Sequence, residues 1–146
     1  MREISATPVL QVVGAYTAND VVGALLTFTY SSAAERNVEV NRLILIDHDK
    51  EKAEFWLWLF DASPTAPART DADAFAPAEA DLLKVVGKIH IEAADYTDSA
   101  SDSVAIKELD FPAQSAAGLA VYGVLVCVGT PTYTAADDLV LSLFIE

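Results

Sequence analysis

Residues 43–60 read LILIDHDKEKAEFWLWLF. Two apolar runs flank a connector made mostly of charged residues, the pattern of two β-strands joined as a hairpin. Leu43–Ile46 and Phe55–Phe60 contain almost no polar position, so both faces of each strand are expected to be covered. One cover is a core. The same two-sided apolarity recurs in Leu119–Val128 (LAVYGVLVCV). For all three runs the second cover is expected to be other copies or a partner, because so much apolar strand surface exceeds what two layers of one chain hide.

The flanking sequence extends the β pattern in both directions. Val38 and Val40 alternate with Glu39 and Asn41 and lead into the apolar run, which predicts a strand over Val38–Ile46. Upstream, Val21–Tyr30 alternates in its second half as a half-buried strand does, Val9–Val13 forms a short first strand ended by Gly14, and Ser31–Asn37 is a loop. Downstream, Asp61–Ala76 is 16 residues rich in Ala, Pro, Thr and Asp, long for a structureless connection, and is expected to cross from one sheet to the other. Pro77 followed by Glu79 and Asp81 predicts one or two helical turns over Pro77–Leu82. Val85–Ile91 is a strand with Val85, Gly87, Ile89 and Ile91 on one face, and Glu92–Asp102 is a loop bearing Tyr96. The alternation of Val104–Phe111 slips at Lys107-Glu108, the mark of a bulge. Leu119–Val128 belongs in the middle of a sheet. Gly129–Asp138 is turn-rich, and Leu139–Ile145 is a closing strand paired into a sheet. About eight strands with at most one short helical turn define an all-β, two-layer β-sandwich, jelly-roll-like, as a single domain over 1–146.

Composition narrows the function classes. The chain of 146 residues is 53% hydrophobic, yet no run approaches the roughly 18 consecutive apolar residues of a membrane helix. The start, MREISATPVLQVVGAY, lacks a continuous apolar segment, so no secretory signal is expected. Net charge is −13, divided as −3 over residues 1–60 and −10 over residues 61–146. So acidic a surface repels phosphate backbones and anionic lipid, which makes nucleic acid and membrane poor partners. The single cysteine, Cys127, excludes an internal disulfide and fits folding in the cytosol. Its neighbours Leu125, Val126 and Val128 mark it as a small buried hydrophobe.

Candidate chemistry is sparse. His48 falls in the polar turn, and His90 lies between Ile89 and Ile91 on the opposite strand face from both. Neither has the spacing of a zinc site. Asp71, Asp73, Glu79 and Asp81 offer oxygen ligands, but without the glycine and closing glutamate of a calcium loop they read as a solvated acidic tract. No phosphate loop or nucleophile elbow occurs. No catalytic, cofactor-binding or metal-binding residue is therefore assigned, and no cofactor is expected. Trp56 and Trp58 share a strand face with Glu54 and Phe60, opposite Phe55, Leu57 and Leu59. They either fill the core, bury against another subunit, or form a stacking platform for sugars as in a carbohydrate-binding β-sandwich.

Four segments in order carry a resemblance: LILIDHDKEKAEFWLWLFDASPT (43–65), TDADAFAPAEADLLKVVGKIHI (70–91), ADYTDSASDSVAIKELD (94–110) and LAVYGVLVCVGTPTYTAADDLVLSLFI (119–145). The LID and LFD-x-x-PT elements, the T-D-x-x-A-F tract, Val121-Tyr122-Gly123 in the place of an LYG-like element, and GTPTY leading into a closing strand together resemble a family of small accessory virion proteins of tailed bacteriophages and their prophages. The resemblance covers roughly two-thirds of the chain and consists of strand and turn signatures, so no functional residue travels with it. It implies a non-enzymatic structural protein, made in the host cytoplasm and located in the virion. Its implied role is capsid decoration (a cement protein) or the base of a head spike, binding the major capsid protein and its own copies, often as a homotrimer. The runner-up is a carbohydrate-binding module of a virion spike that uses Trp56 and Trp58.

Overall fold

The two apolar runs of 43–60 lie in different sheets. The computed structural model describes residues 2–30, 37–66, 68–115 and 120–146. Its strands are β1 (Arg2–Ala6), β2 (Leu26–Thr29), β3 (Asn37–Asp47), β4 (Phe55–Phe60), β5 (Val85–Ile91), β6 (Tyr96–Asp98), β7 (Ser103–Gln114), β8 (Ala120–Cys127) and β9 (Leu139–Ile145), with a helical turn α1 (Glu79–Leu82) and a 3-10 turn (Ala93–Asp95). One sheet has the order β1-β9-β3-β7-β6 and the other β2-β8-β4-β5. Every neighbouring pair is antiparallel. The chain passes from one sheet to the other at each of the first three connections, again from β5 to β6, and again from β7 to β8 and from β8 to β9. This is the winding of a jelly roll, with β6 as an extra edge strand.

Leu43–Phe60 is therefore not a hairpin. Its connector is an arch between layers, and side chains dictate its path. The buried Asp47 carboxylate accepts the backbone N–H groups of Asp49 and Lys52, each at 2.9 Å. Lys50 and Lys52 take φ values of 55° and 49°. Lys50 Nζ donates to the carbonyl of Ser99 at 2.9 Å, and Lys52 Nζ to Asp98 at 2.9 Å. The connector is thus fastened to the turn between β6 and β7. Each apolar run is instead a central strand of its own sheet, β3 between β9 and β7, and β4 between β8 and β5.

The core lies between the sheets. Leu43 and Leu45 of β3, Phe55, Leu57 and Leu59 of β4, and the alternate residues Leu139, Leu141, Leu143 and Ile145 of β9 are all fully buried. Each such side chain contributes roughly 2 kcal/mol by leaving water. Gly87 of β5 closes the β5–β7 side, because a Cβ there would lie 2.0 Å from the Phe111 ring of β7. In β7, Leu109 and Asp110 stand opposite the single residue Asn41, a bulge two residues beyond the expected slip.

Other expectations change. Val9–Val13 lies outside the strands, with Val9 70% and Val13 84% exposed; the first strand is Arg2–Ala6, paired with β9. The strand expected over Val21–Tyr30 shrinks to Leu26–Thr29, because Gly23 (φ 82°) and Ala24 (φ 57°) break it and Gly23 packs directly on Pro8. The segment after β4 does not change sheets, since β4 and β5 are neighbours. It pairs with Asn19–Val21 through Ala72, Asp73 and Phe75, then reaches β5 by way of α1. The loop expected over Ser31–Asn37 lies, but for Asn37, outside the described residues.

This excursion also corrects where partners were expected to bind. On the outer side of the four-stranded sheet, Val21, Phe60, Val124 and Val126 form a second buried cluster, with Trp58, Phe75, Val85 and Tyr122 packed against it. The chain's own loop covers the outer faces of β4 and β8. Trp56 of β4 stays half-exposed beside this cover, and β3 alone of the three two-sided runs lies in the five-stranded sheet, away from this loop.

Candidate interaction surface

The outer face of the five-stranded sheet is built by simple alternation. In β3, Leu43, Leu45 and Asp47 point into the core, which turns Ile44 and Ile46 outward, where they are half-buried. Residues directly opposite in a ladder share a side of the sheet. Ile44 stands opposite Ile106 of β7, and Ile46 stands between Val104 of β7 and Val140 of β9. Phe144 completes the row opposite Arg42, whose guanidinium lies 5.9 Å from the ring centroid. The solvent side of an antiparallel sheet ordinarily carries polar residues. Here Ile44, Ile46, Val104, Ile106 and Val140 stand side by side on three adjacent strands, Phe144 lies past Ser142 between Arg42 and Glu3, and Ile106 is 52% exposed.

Ion pairs between β3 and β7 close both ends of the patch. Arg42 Nε donates to Glu108 at 2.8 Å. One residue beyond Asp47 and Ser103, His48 Nδ1 lies 2.6 Å from Asp102. The hydrogen bond to Asp102 raises the His48 pKa, and the same bond lowers that of Asp102. Along the β1 side, the Ser142 hydroxyl donates to Glu3 at 2.7 Å.

The sequence-derived candidates lie elsewhere. Trp56 and Trp58 are half-buried on the outer side of β4 and fill no part of the inter-sheet core. The His90 ring is stacked on Trp56 at 4.1 Å with an interplanar angle of 7°. Lys88 Nζ lies over Trp56 at 4.4 Å and over Trp58 at 5.2 Å, while Phe75 packs against Trp58 at 5.1 Å. His90 thus occupies one stacking face of Trp56, and Phe75 packs at a tilt of 46° on Trp58. His48 is in the arch, paired with Asp102 and apart from this cluster on β4 and β5. Cys127 is buried, its thiol donates to the carbonyl of Thr17, and burial pushes its pKa up.

The acidic tract is structural. Asp71 accepts the Tyr16 hydroxyl at 2.8 Å and the Gly23 N–H at 2.7 Å, tying the N-terminal segment to the long excursion. Asp81 accepts the Thr65 N–H and hydroxyl at 2.9 and 2.7 Å, and Lys84 at 3.2 Å. Asp73 and Glu79 join neither set, so the four carboxylates do not converge. Among the described residues, no group of three or more His, Cys, Asp or Glu side chains is placed to hold a metal ion. Tyr96 and Tyr133 feel the Asp47 charge, Tyr16 packs edge-on against Tyr133 at 6.2 Å, and burial raises all three hydroxyl pKa values far above the usual phenol range. Three hollows of about 350, 410 and 380 Å³ open on the surface, and none is lined by a histidine or cysteine.

The outer face of the five-stranded sheet was not singled out as a site from the sequence. Its signal is present all the same: Val104 and Ile106 in β7, and Val140 and Phe144 in β9, occupy the positions that alternation assigns to solvent. No family model matches the sequence, and no curated protein matches it.

Proposed function

We propose that this chain is a non-enzymatic structural protein of a phage particle, which decorates and stabilises the capsid by binding the major capsid protein and its own copies. The observation that carries this reading is the distribution of exposed apolar side chains on an acidic domain. Among the described residues they occur in four separate places: the outer face of the five-stranded sheet around Ile106, the N-terminal loop with Val9, Val12 and Val13, the end of α1 with Leu82 and Leu83, and Val128 just after β8. A subunit inserted among several neighbours would bury such side chains on several sides, and where they adjoin one another, as around Ile106, they mark a contact surface. The jelly roll is a fold shared by viral capsid and lectin domains, so it is compatible with this role without selecting it. An acidic exterior suits an outward position away from packaged DNA. The sequence resemblance points the same way.

The test is addition of the purified protein to capsids of the encoding phage prepared without it. Saturable co-sedimentation and a raised temperature of capsid disruption are expected. Failure to bind any capsid form, before or after expansion, would remove this function.

A further inference from the structure

We infer that the outer face of the five-stranded sheet is where two copies of this chain meet, packing sheet on sheet about a two-fold axis. The inference deepens the proposed function, resting on the reading of the chain as a subunit that meets its own copies, and assigns that contact to one face.

Three observations select a second copy as the occupant. First, charge. At −13, two copies repel each other, so they associate only where both bring little net charge. On this face the six central residues Ile44, Ile46, Val104, Ile106, Val140 and Phe144 are uncharged, and the bordering charges Arg42 with Glu108 and His48 with Asp102 are already paired. Glu3 stands at the β1 edge of the face, opposite Phe144 and accepting the Ser142 hydroxyl, and further acids lie beyond the frame, at Glu39 and Asp110 at one end and Asp137 and Asp138 at the other.

Second, shape. The face is a β-sheet carrying Ile, Val and Phe, the same kind of surface that each of the chain's own sheets presents inward. Two such surfaces stack about 10 Å apart with interdigitating side chains. A patch that meets itself generates an isologous two-fold contact, whereas a three-fold ring requires two different patches.

Third, area. Three strands at about 4.8 Å spacing and some six residues at about 3.4 Å rise give a footprint of roughly 300 Å² per copy. This lies below the size of a standard stable interface, so the pair is weak in solution, with a dissociation constant in the micromolar range or above. Arrangement on a shell would supply the effective concentration that closes it.

The experiment is sedimentation velocity on the full chain from about 1 µM to about 1 mM, a range that spans weak dimerisation. A monomer–dimer equilibrium is expected for the native chain. Ile106→Glu, at a position already half in water, is expected to weaken it at least 100-fold while keeping the native melting temperature, because pairing would bury two unpaired carboxylates. Ile106→Thr, which preserves β-branching, is expected to weaken it less and guards against a folding defect in the first variant. A native chain that stays monomeric throughout, a trimer as the smallest assembly, or an Ile106→Glu variant that dimerises undiminished would each overturn the inference. Capsid co-sedimentation is run in parallel. Pairing without capsid binding overturns the proposed function alone, and capsid binding without pairing overturns this inference alone.

Discussion

Gly87 shows how one missing atom holds the open side of the sandwich together. The Phe111 ring occupies the volume that a β-carbon would need. Gly87→Ala is expected to cost about 1–3 kcal/mol through overpacking, read as a lower urea midpoint, and Phe111→Leu in the same chain should return part of it. Asp47 acts by hydrogen bonding. Burial raises its pKa against the two N–H groups that lower it, and removing the carboxylate strands those donors. Asp47→Ala is expected to destabilise by roughly 2 kcal/mol, measured by chemical denaturation. His48 carries a charge that responds near neutral pH. Its pKa is raised in the folded chain, first by Asp102 and further by Asp137 and Asp138, with Lys50 nearby on the same arch. Its contribution is therefore fully present below the ordinary imidazole value of 6.5 and fades as pH rises through the raised value. The native chain should lose a small increment of melting temperature across that window, and His48→Gln should not. None of these three roles was visible in the linear sequence, because each depends on a partner brought close by folding: Phe111 for Gly87, the turned backbone for Asp47, Asp102 for His48.

At the scale of elements, strand identity was legible and strand partnership was not. Val38–Ile46, Val85–Ile91 and Leu139–Ile145 follow from period-two alternation and recur with small shifts at their ends. A polar connector between two strands reads the same whether it turns back within a sheet or arches to the next layer. Lys50 and Lys52 adopt positive φ without being glycines, so local chemistry did not announce the arch. β9 runs between β1 and β3 and buries four large side chains completely. Deleting residues 139–146 removes roughly 8 kcal/mol of burial, comparable to the whole stability of a domain. The truncated chain is expected to show no cooperative thermal transition by circular dichroism. The excursion between β4 and β5 has its own pH limit. Hydrogen bonds from Thr65, and then Lys84, lower the Asp81 pKa from 3.8 to about 2. A depressed carboxylate stabilises above its unfolded value and loses that contribution as pH falls through its folded value. Between pH 3.8 and about 2 the excursion should loosen, exposing Trp58 as its contact with Phe75 is lost. A red shift of tryptophan emission over that interval, absent in Asp81→Asn, is the expected record.

Across the whole molecule, the acid excess sets the response to salt. With a net charge of −13, self-repulsion within one copy is screened when the Debye length falls from about 30 Å to about 8 Å. The melting temperature is expected to rise by a few degrees between about 0.01 M and about 0.15 M salt. Weak pairing through the five-stranded sheet should strengthen over the same interval. By itself, the sequence determined that this protein is an all-β sandwich, which runs of it become strands, and that its charge disfavours polyanions. Periodicity and composition act locally along the chain, so they are readable residue by residue. Only the tertiary structure decided which strands are neighbours, that the chain's own loop covers β4 and β8, and that the apolar surplus remains on β3, β7 and β9. Those outcomes depend on contacts between residues far apart in sequence, whose partners no local pattern specifies.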